Sequence, residues 1–375
     1  MLKLLELHFA QLEKAWSKSK FNVYSDPKKG DYHNLLERLF NKIKVEDFTS
    51  LDEEEIRELK VLIDFFFKNL EYLNSTTLNN IPFEIIKSLE IVLRSWVKDS
   101  EKYIIVTSLL DQMDFYFDPT LYTVQYYYDV IKERYSIDFE NRLIQISLPK
   151  LLSNDYLAAS VLYHELGHFI DKHFRISETI VLEMDENPKI KERLISEEYI
   201  PDFIADENDY LESHLMEYFA DIFAATYLGN SCIKYLEFLD IERYNEVSYT
   251  HPSTLNRSKI VDSYLQNDKN TLLDLINKYT KLITEQEFIP IINNLSIDSF
   301  NHLIPEEIDS EINIHMVYEK IWGLWSGDWN EISEKNNFQF TVDPVFKYEI
   351  INNLTEKTIS NYIISSNWKD VSNKK

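Results

Sequence analysis

The sequence predicts a predominantly helical α+β protein that contains a small β-sheet. Apolar residues recur every three and four positions from residue 1 to about 100, and again after Ser253, as they do in helices that bury one face. Between these regions, the segment from Leu143 to Leu148 alternates apolar and polar residues as a strand does. We therefore expect a helical N-terminal region over residues 1–100, a core over 101–265 in which a helix packs on the sheet, and a mainly helical C-terminal region over 266–375.

The strand predictions depend on residue type and on one proline. The segment from Tyr103 to Leu110 is rich in β-branched residues, but periodicity alone leaves a strand and a buried helix equally open there. The segment from Leu143 to Leu148, closed by Pro149, alternates apolar and polar residues better. We expect a strand at this second position.

Two helices are expected after that strand. Ser153 or Asn154 is a suitable N-cap for the first helix, which should run from Asp155 to about Phe174. The second helix should run from about Asp209 to Leu228 and end at Gly229, because glycine accepts the backbone conformation that closes a helix.

Composition and charge exclude several classes of protein. The chain carries 64 acidic and 39 basic residues, for a formal net charge of -25, which would repel phosphate backbones and anionic membrane surfaces. Nucleic acid is therefore an unsuitable partner. Cys232 is the only cysteine, so an internal disulfide and a cysteine-rich zinc site are both excluded, and a reducing compartment is expected. The five glycines argue against glycine-rich phosphate loops.

Hydropathy predicts neither a membrane span nor an exported chain. The longest apolar runs fall far short of the roughly 20 residues that a transmembrane helix needs. The segment from Met1 to Lys20 mixes leucine and aromatic residues with charged ones, which is typical of an amphipathic helix and not of a signal peptide. We expect a cytoplasmic protein.

The first of the two helices carries a metal-binding motif, His164-Glu165-Leu166-Gly167-His168. Residues four apart on a helix project from one face, so His164 and His168 can chelate one zinc ion. Glu165 lies beside that position, where a carboxylate can accept a proton from an attacking water molecule. The motif therefore predicts a zinc-dependent hydrolase with Glu165 as the general base.

A catalytic zinc ion normally has three protein ligands, so one more is expected. His173 comes five residues after His168, whereas the extended metzincin pattern requires a histidine six residues on, so that family is excluded. Asp171 lies on the same short helix as both histidines, and three ligands from one short helix fit tetrahedral coordination poorly. We therefore assign Asp171 a supporting or solvated position. His214 and Glu217 lie on the later helix, and Glu217 is the stronger candidate.

Asp221 is the reason for preferring Glu217. It lies four residues after Glu217 on the same helix face, so one carboxylate can bind zinc while the other accepts the ring N–H of a ligating histidine. Apolar residues surround both acids along this helix, which predicts that the acids are partly buried and need a metal or a hydrogen-bond partner.

A third segment pairs His251, which precedes Pro252, with Arg257. His251 is a candidate to hydrogen-bond the oxyanion of a tetrahedral intermediate, and Arg257 is a candidate to orient the carboxylates or the substrate. The same residues are equally consistent with a proline-containing turn that caps the next helix.

The three segments together resemble the gluzincin peptidases, and in particular the family of the CAAX prenyl endopeptidase and the heat-shock membrane protease. That family shows His-Glu-x-x-His, then Glu-x-x-x-Asp, then Thr-His-Pro with a downstream arginine. In this chain the matching segments are His164 to His168, Glu217 to Asp221, and Thr250 to Pro252 followed by Arg257, in the same order. The resemblance covers about residues 140–260.

The resemblance implies a zincin-like core with zinc bound by His164, His168 and Glu217. It implies that Glu165 is the general base, that Asp221 supports the ligands and that His251 stabilises the transition state. It further implies that the strand from Leu143 to Leu148 is the edge strand to which a peptide substrate adds. Many members of the family are membrane-embedded, so this chain resembles the soluble branch, and the prenylated-substrate role is not transferred.

Two other functions are less consistent with the sequence than a zinc endopeptidase or oligopeptidase acting on a peptide or protein. The alternative is a catalytically silent zinc-binding regulatory or interaction protein, which Glu165 and the lack of an evident fourth ligand disfavour. A ferritin-like di-iron site needs Glu-x-x-His twice, and His168 is the one histidine with a glutamate three residues before it.

Overall fold

The structure is a computed structural model that describes residues 2–24, 26–77, 80–120, 125–239, 241, 244–291 and 295–373. It is predominantly helical with a small mixed sheet, which confirms the predicted α+β class. The chain forms two compact units, one of residues 1–86 and 97–154 and the other of residues 87–96 and 155–375. The residues of the predicted metal site all belong to the second unit.

Within the described residues the helices of the first unit begin with α1 (Leu2–Ser19), α2 (Pro27–Lys44) and α3 (Glu53–Ser75), and α4 (Phe83–Trp96) continues into the second unit. The remaining elements of the first unit are β1 (Tyr103–Leu110), β2 (Tyr116–Asp118), α5 (Gln125–Tyr135) and β3 (Arg142–Pro149).

In the second unit the helices are α6 (Val161–Phe174), α7 (Ile176–Glu186), α8 (Pro188–Ser196), α9 (Asn208–Leu228), α10 (Ser231–Leu239), α11 (Thr254–Gln266), α12 (Thr271–Thr284), α13 (Glu311–Ser326), α14 (Asn330–Lys335) and α15 (Pro344–Asn373). None of the described helices combines the length and the apolarity that crossing a bilayer requires.

The core of the first unit is built from the apolar faces of α1, α2 and α3 together with the sheet. Trp16 of α1 stacks on Phe40 of α2 with ring centroids 5.5 Å apart and meets Phe66 of α3 edge-on at 5.7 Å. The spacing of three and four residues in the sequence therefore produces the helix faces that it predicts.

The sheet has the strand order β1-β3-β2, in which β1 pairs parallel and β2 antiparallel with β3. The open question at Tyr103 to Leu110 is settled as a strand, and the strand at Leu143 to Leu148 is confirmed as part of β3. The implied edge position of that strand is wrong, because β3 lies between the other two. Nearly all residues of β3 are buried, including Gln145 and Ser147, because strands and helices cover a central strand on all sides.

The start of α6 differs from the sequence prediction. A short 3₁₀ turn, Ala158–Ser160, precedes the helix, and the Asp155 carboxylate accepts hydrogen bonds from the N–H groups of Leu157 at 2.8 Å and Ala158 at 3.1 Å. Asp155 and not Ser153 or Asn154 therefore caps this region, since the chain tightens into 3₁₀ geometry before the α-helix begins.

The second predicted helix is confirmed as α9, which ends at Gly229. Gly229 has a φ of 55° and a ψ of -144°, a backbone conformation that side chains with a Cβ rarely adopt. Its N–H donates to the carbonyl of Ala225 at 2.9 Å, which satisfies one of the free carbonyls at the helix end.

Candidate metal centre

On helix α6, His164 is buried and His168 is partly exposed. His164 and His168 share one helix face, and their rings meet edge-on with centroids 4.5 Å apart. Glu165, between them in sequence, is also buried. The prediction that the two histidines share one helix face is therefore confirmed.

Helix α9 supplies the carboxylate that faces these histidines. One oxygen of Glu217 lies 3.3 Å from Nε2 of His164, and the other lies 3.4 Å from Nε2 of His168. Neighbouring ligand atoms of a zinc ion, each 2.0–2.2 Å from the metal, lie about 3.3–3.6 Å apart. The two separations have this size and exceed the usual N–H···O distance of about 2.9 Å, but they run to different oxygens of Glu217. The carboxylate therefore faces both imidazoles at a spacing that leaves room for a metal ion.

Three side chains thus form a group that can hold a metal ion. A ligand atom from each of His164, His168 and Glu217 lies within 4.8 Å of the others. Within the residues that the structure describes, this group has three members, and the exposed His251 is not one of them. Two imidazole nitrogens and a carboxylate oxygen are a donor set that suits zinc.

Asp221 and Arg257 hold the ligands in place. Nδ1 of His164 lies 3.0 Å from a carboxylate oxygen of Asp221, so its N–H donates there and Nε2 is left facing Glu217. Arg257, buried on α11, donates to both Asp221 oxygens at 2.7 and 2.8 Å and lies 3.2 Å from Glu217. The arginine therefore orients the carboxylates, one of the two roles expected from the sequence.

The charges of the centre favour a cation. Glu165, Glu217 and Asp221 are all buried, and the carboxylates of Glu217 and Asp221 meet a single guanidinium, that of Arg257. Burial raises the pKa of Glu217, but Arg257 and the two histidines outweigh it and hold that pKa well below its usual value. The two carboxylates outnumber the one guanidinium that they meet, and a cation between the imidazoles and Glu217 would be attracted by the remaining negative charge.

The carboxylates of the centre also attract positive charge to the imidazole of His164. Burial lowers the pKa of His164, but the carboxylates of Asp221 and Glu217 outweigh this and raise its pKa to about 10. The carboxylates that favour a proton on this imidazole also favour a metal ion at the same nitrogen, since both are positive charges at one place.

His251 lies at the open side of the centre. Its side chain is 59% exposed, and its Nε2 is 3.5 Å from a carboxylate oxygen of Glu217. Thr250 Oγ lies 2.8 Å from Nδ1 of His251, within hydrogen-bonding distance. The structure therefore places the third sequence segment beside the first two.

His214, the weaker ligand candidate in the sequence, is not part of the metal-binding group. It is fully buried, and its Nε2–H donates to the carbonyl of Ser248 at 2.9 Å. Ser248 in turn accepts the His251 N–H on its hydroxyl at 2.9 Å. His214 therefore anchors the turn that carries His251. The only indication of this role in the sequence is that His214 lies on the same helix face as Glu217, three residues before it.

Asp171 is buried, so the solvated position expected as one alternative is wrong, and the hydrogen bonds of its carboxylate go to Ser177. Its carboxylate is buried and accepts hydrogen bonds from the backbone N–H of Ser177 at 2.9 Å and from the Ser177 hydroxyl at 3.0 Å. Burial raises the pKa of Asp171 to about 6. Asp171 thereby ties the end of α6 to the start of α7. His173, excluded as a ligand, stacks on Phe169 with ring centroids 5.6 Å apart.

Gly167 brings the two ligand helices together. A Cβ atom added at Gly167 would lie 2.9 Å from Cα of Ala220 and 3.2 Å from a ring carbon of Phe223. Helix α9 therefore packs directly on the backbone of α6 at this point. This close approach places Glu217, one turn before Ala220, within reach of the histidines.

We expect Gly167→Ala to destabilise the protein by about 1–3 kcal/mol, because the added methyl group must displace the α9 backbone. The same displacement should weaken metal binding. Gly323→Ala on α13 is the matched control, since a Cβ there meets nothing within 4 Å and alanine favours a helix. Urea unfolding and metal titration measure both effects, and wild-type stability of Gly167→Ala would contradict the close approach.

The centre is defined by the geometry of the chain's own side chains. Helices α6, α9 and α11 and the turn that carries His251 bring together the ligand candidates, Asp221, Arg257 and His251. Comparison of the chain with known protein families, curated proteins and solved structures gives no match.

Proposed function

We propose that this chain is a zinc-dependent peptidase that cleaves peptide bonds with Glu165 as general base. The observation that carries the proposal is the group of His164, His168 and Glu217, in which the Glu217 carboxylate faces both imidazoles at 3.3 and 3.4 Å. The family resemblance agrees, since it implies the same ligands, a zincin-like core and a soluble gluzincin. When bound, zinc supplies a Lewis acid and lowers the pKa of a coordinated water molecule to about 7.

Glu165 is the proposed general base. It directly follows His164 on α6, is buried, and is not one of the three residues that can hold the metal. In the proposed reaction it accepts a proton from the attacking water and returns that proton to the leaving amine. Its burial lowers the local dielectric constant, which strengthens its interactions with developing charge.

His251 and the Asp221–Arg257 pair have separate tasks. The imidazole of His251 is exposed beside Glu217, where its N–H can donate to the carbonyl oxygen of the substrate as negative charge develops there. Asp221 fixes the ring orientation of His164, and Arg257 fixes Asp221. The second expectation for Arg257, contact with the substrate, is disfavoured by its burial.

The silent zinc-binding alternative predicts a closed site. Structural zinc sites normally have four protein ligands, whereas the group found among the described residues has three. Three ligands leave a position for water or substrate, which supports a catalytic role. A buried general-base candidate next to the ligands has no purpose in a purely structural site.

The proposal is tested by metal analysis and by cleavage of a mixed peptide library with the full-length chain. We expect about one zinc ion per chain, loss of cleavage after removal of the metal by a chelator, and recovery when zinc is added back. Iron in place of zinc would contradict the assigned metal. Stoichiometric zinc with no cleavage of any library peptide would favour the silent alternative.

A further inference from the structure

Three exposed aromatic rings form a cluster on the second unit. The ring of Tyr249 lies between Phe203 and Tyr210, with centroid distances of 5.3 Å to Phe203 and 5.0 Å to Tyr210. The three side chains are 51%, 37% and 58% exposed for Phe203, Tyr210 and Tyr249 respectively. Large rings exposed side by side in this way are typical of a binding surface.

The cluster lies on the same surface as the metal centre. Tyr210, His214 and Glu217 follow one another at four and three residues along α9, so they share a helix face. This face contacts one turn throughout: Tyr210 meets Tyr249, His214 binds Ser248, and Glu217 approaches His251.

The distance along the helix defines a substrate position. Tyr210 and Glu217 are separated by two helical turns, which is about 10 Å along the axis. An extended peptide advances about 3.3 Å per residue. We take the substrate to lie extended along this helix face with its reacting carbonyl at the metal centre. Its third residue from the cleaved bond then meets the aromatic cluster.

The charges around the rings indicate which side chain fits there. Asp202 directly precedes Phe203 and Asp209 directly precedes Tyr210, and both acids are exposed. The chain has no lysine or arginine between Arg193 and Lys234. Aromatic faces attract cations, and neighbouring carboxylates add to that attraction.

We propose that Phe203, Tyr210 and Tyr249 form a subsite that binds a lysine or arginine side chain of the peptide substrate, at the third residue from the cleaved bond. The subsite rests on the proposed peptidase function. It gives the acidic chain a substrate class, namely peptides that carry a basic residue near the point of cleavage.

Cleavage sites in a peptide mixture provide the first test. We expect lysine and arginine to be enriched at the third residue on one side of the cleaved bonds. For a matched pair of peptides with lysine or alanine there, the ratio of their kcat/KM values should fall about three- to tenfold in Phe203→Leu. Leucine keeps the apolar volume and removes the ring, so an unchanged ratio overturns the cation–aromatic contact.

Phe238→Leu is the matched control for this ratio. Phe238 is an exposed ring on α10 that takes no part in the cluster, and its replacement should leave the lysine-to-alanine ratio as in the wild type. A fall of equal size in Phe238→Leu would overturn the assignment to Phe203, because the effect would then not be specific to the cluster.

A binding experiment separates failure of the subsite from failure of the proposed function. Zinc-loaded Glu165→Gln is titrated with fluorescein-labelled alanine-rich nonapeptides that carry lysine or alanine at the centre. Tighter binding of the lysine peptide, lost with Phe203→Leu, supports the subsite even if the wild type cleaves nothing. Cleavage without a basic preference overturns the subsite and leaves the peptidase proposal standing. If the protein cleaves no peptide and does not bind the lysine peptide more tightly, both the peptidase proposal and the subsite are overturned.

Discussion

Replacing Glu165 by glutamine is expected to lower kcat/KM for peptide hydrolysis by about 10²–10⁴-fold while zinc stays bound. Glutamine has the shape of glutamate but cannot accept the proton of the attacking water. Glu165 is not among the three residues that can hold the metal, so its replacement leaves His164, His168 and Glu217 in place. Initial rates of peptide cleavage and the metal content of the purified variant measure the two quantities.

Glu212→Gln is the control for this experiment. Glu212 lies on α9, 3.5 Å from Lys172, and it belongs to neither the ligands nor the proposed base. We expect its cleavage rate to stay within about twofold of the wild type, since partly exposed ion pairs contribute little. Wild-type activity in Glu165→Gln would refute the proposed mechanism, whatever the metal content.

Glu217→Gln is expected to weaken zinc binding by more than about 100-fold, since replacing residues that merely support a ligand already costs 10- to 100-fold. The amide keeps the volume of the side chain but loses the charge that faces the two histidines. Arg257 retains its two hydrogen bonds to Asp221, so the surrounding fold should persist. Competition with a chromogenic chelator measures the affinity.

A second glutamate on α9 provides the control for the expected loss of zinc affinity. Glu212→Gln changes the charge of α9 by the same amount, one turn and a residue before Glu217, and should bind zinc as the wild type does. Circular dichroism of both metal-free variants checks that the fold is retained. Zinc affinity of Glu217→Gln equal to that of the wild type would remove Glu217 from the site.

Local sequence determined the elements that carry the centre. His164 and His168 share a face because an α-helix repeats every 3.6 residues, and that depends on no other part of the chain. The end of α9 at Gly229 was predictable for the same kind of reason, since the glycine conformation is a local property. The candidate roles of Glu217 and Asp221 came from their spacing on one helix and their apolar neighbours.

The tertiary structure alone decided how these elements meet. The central place of β3 depends on pairing with a strand about 40 residues earlier, which no local pattern encodes. The contact of Gly167 with Ala220, the anchoring of Ser248 by His214 and the meeting of Tyr249 with Phe203 all join residues distant in sequence. The sequence by itself therefore determined the helices, their faces and the chemistry of the residues. Only packing decided the separations of about 3.3 Å between ligand atoms, because such distances depend on how closely two backbones approach.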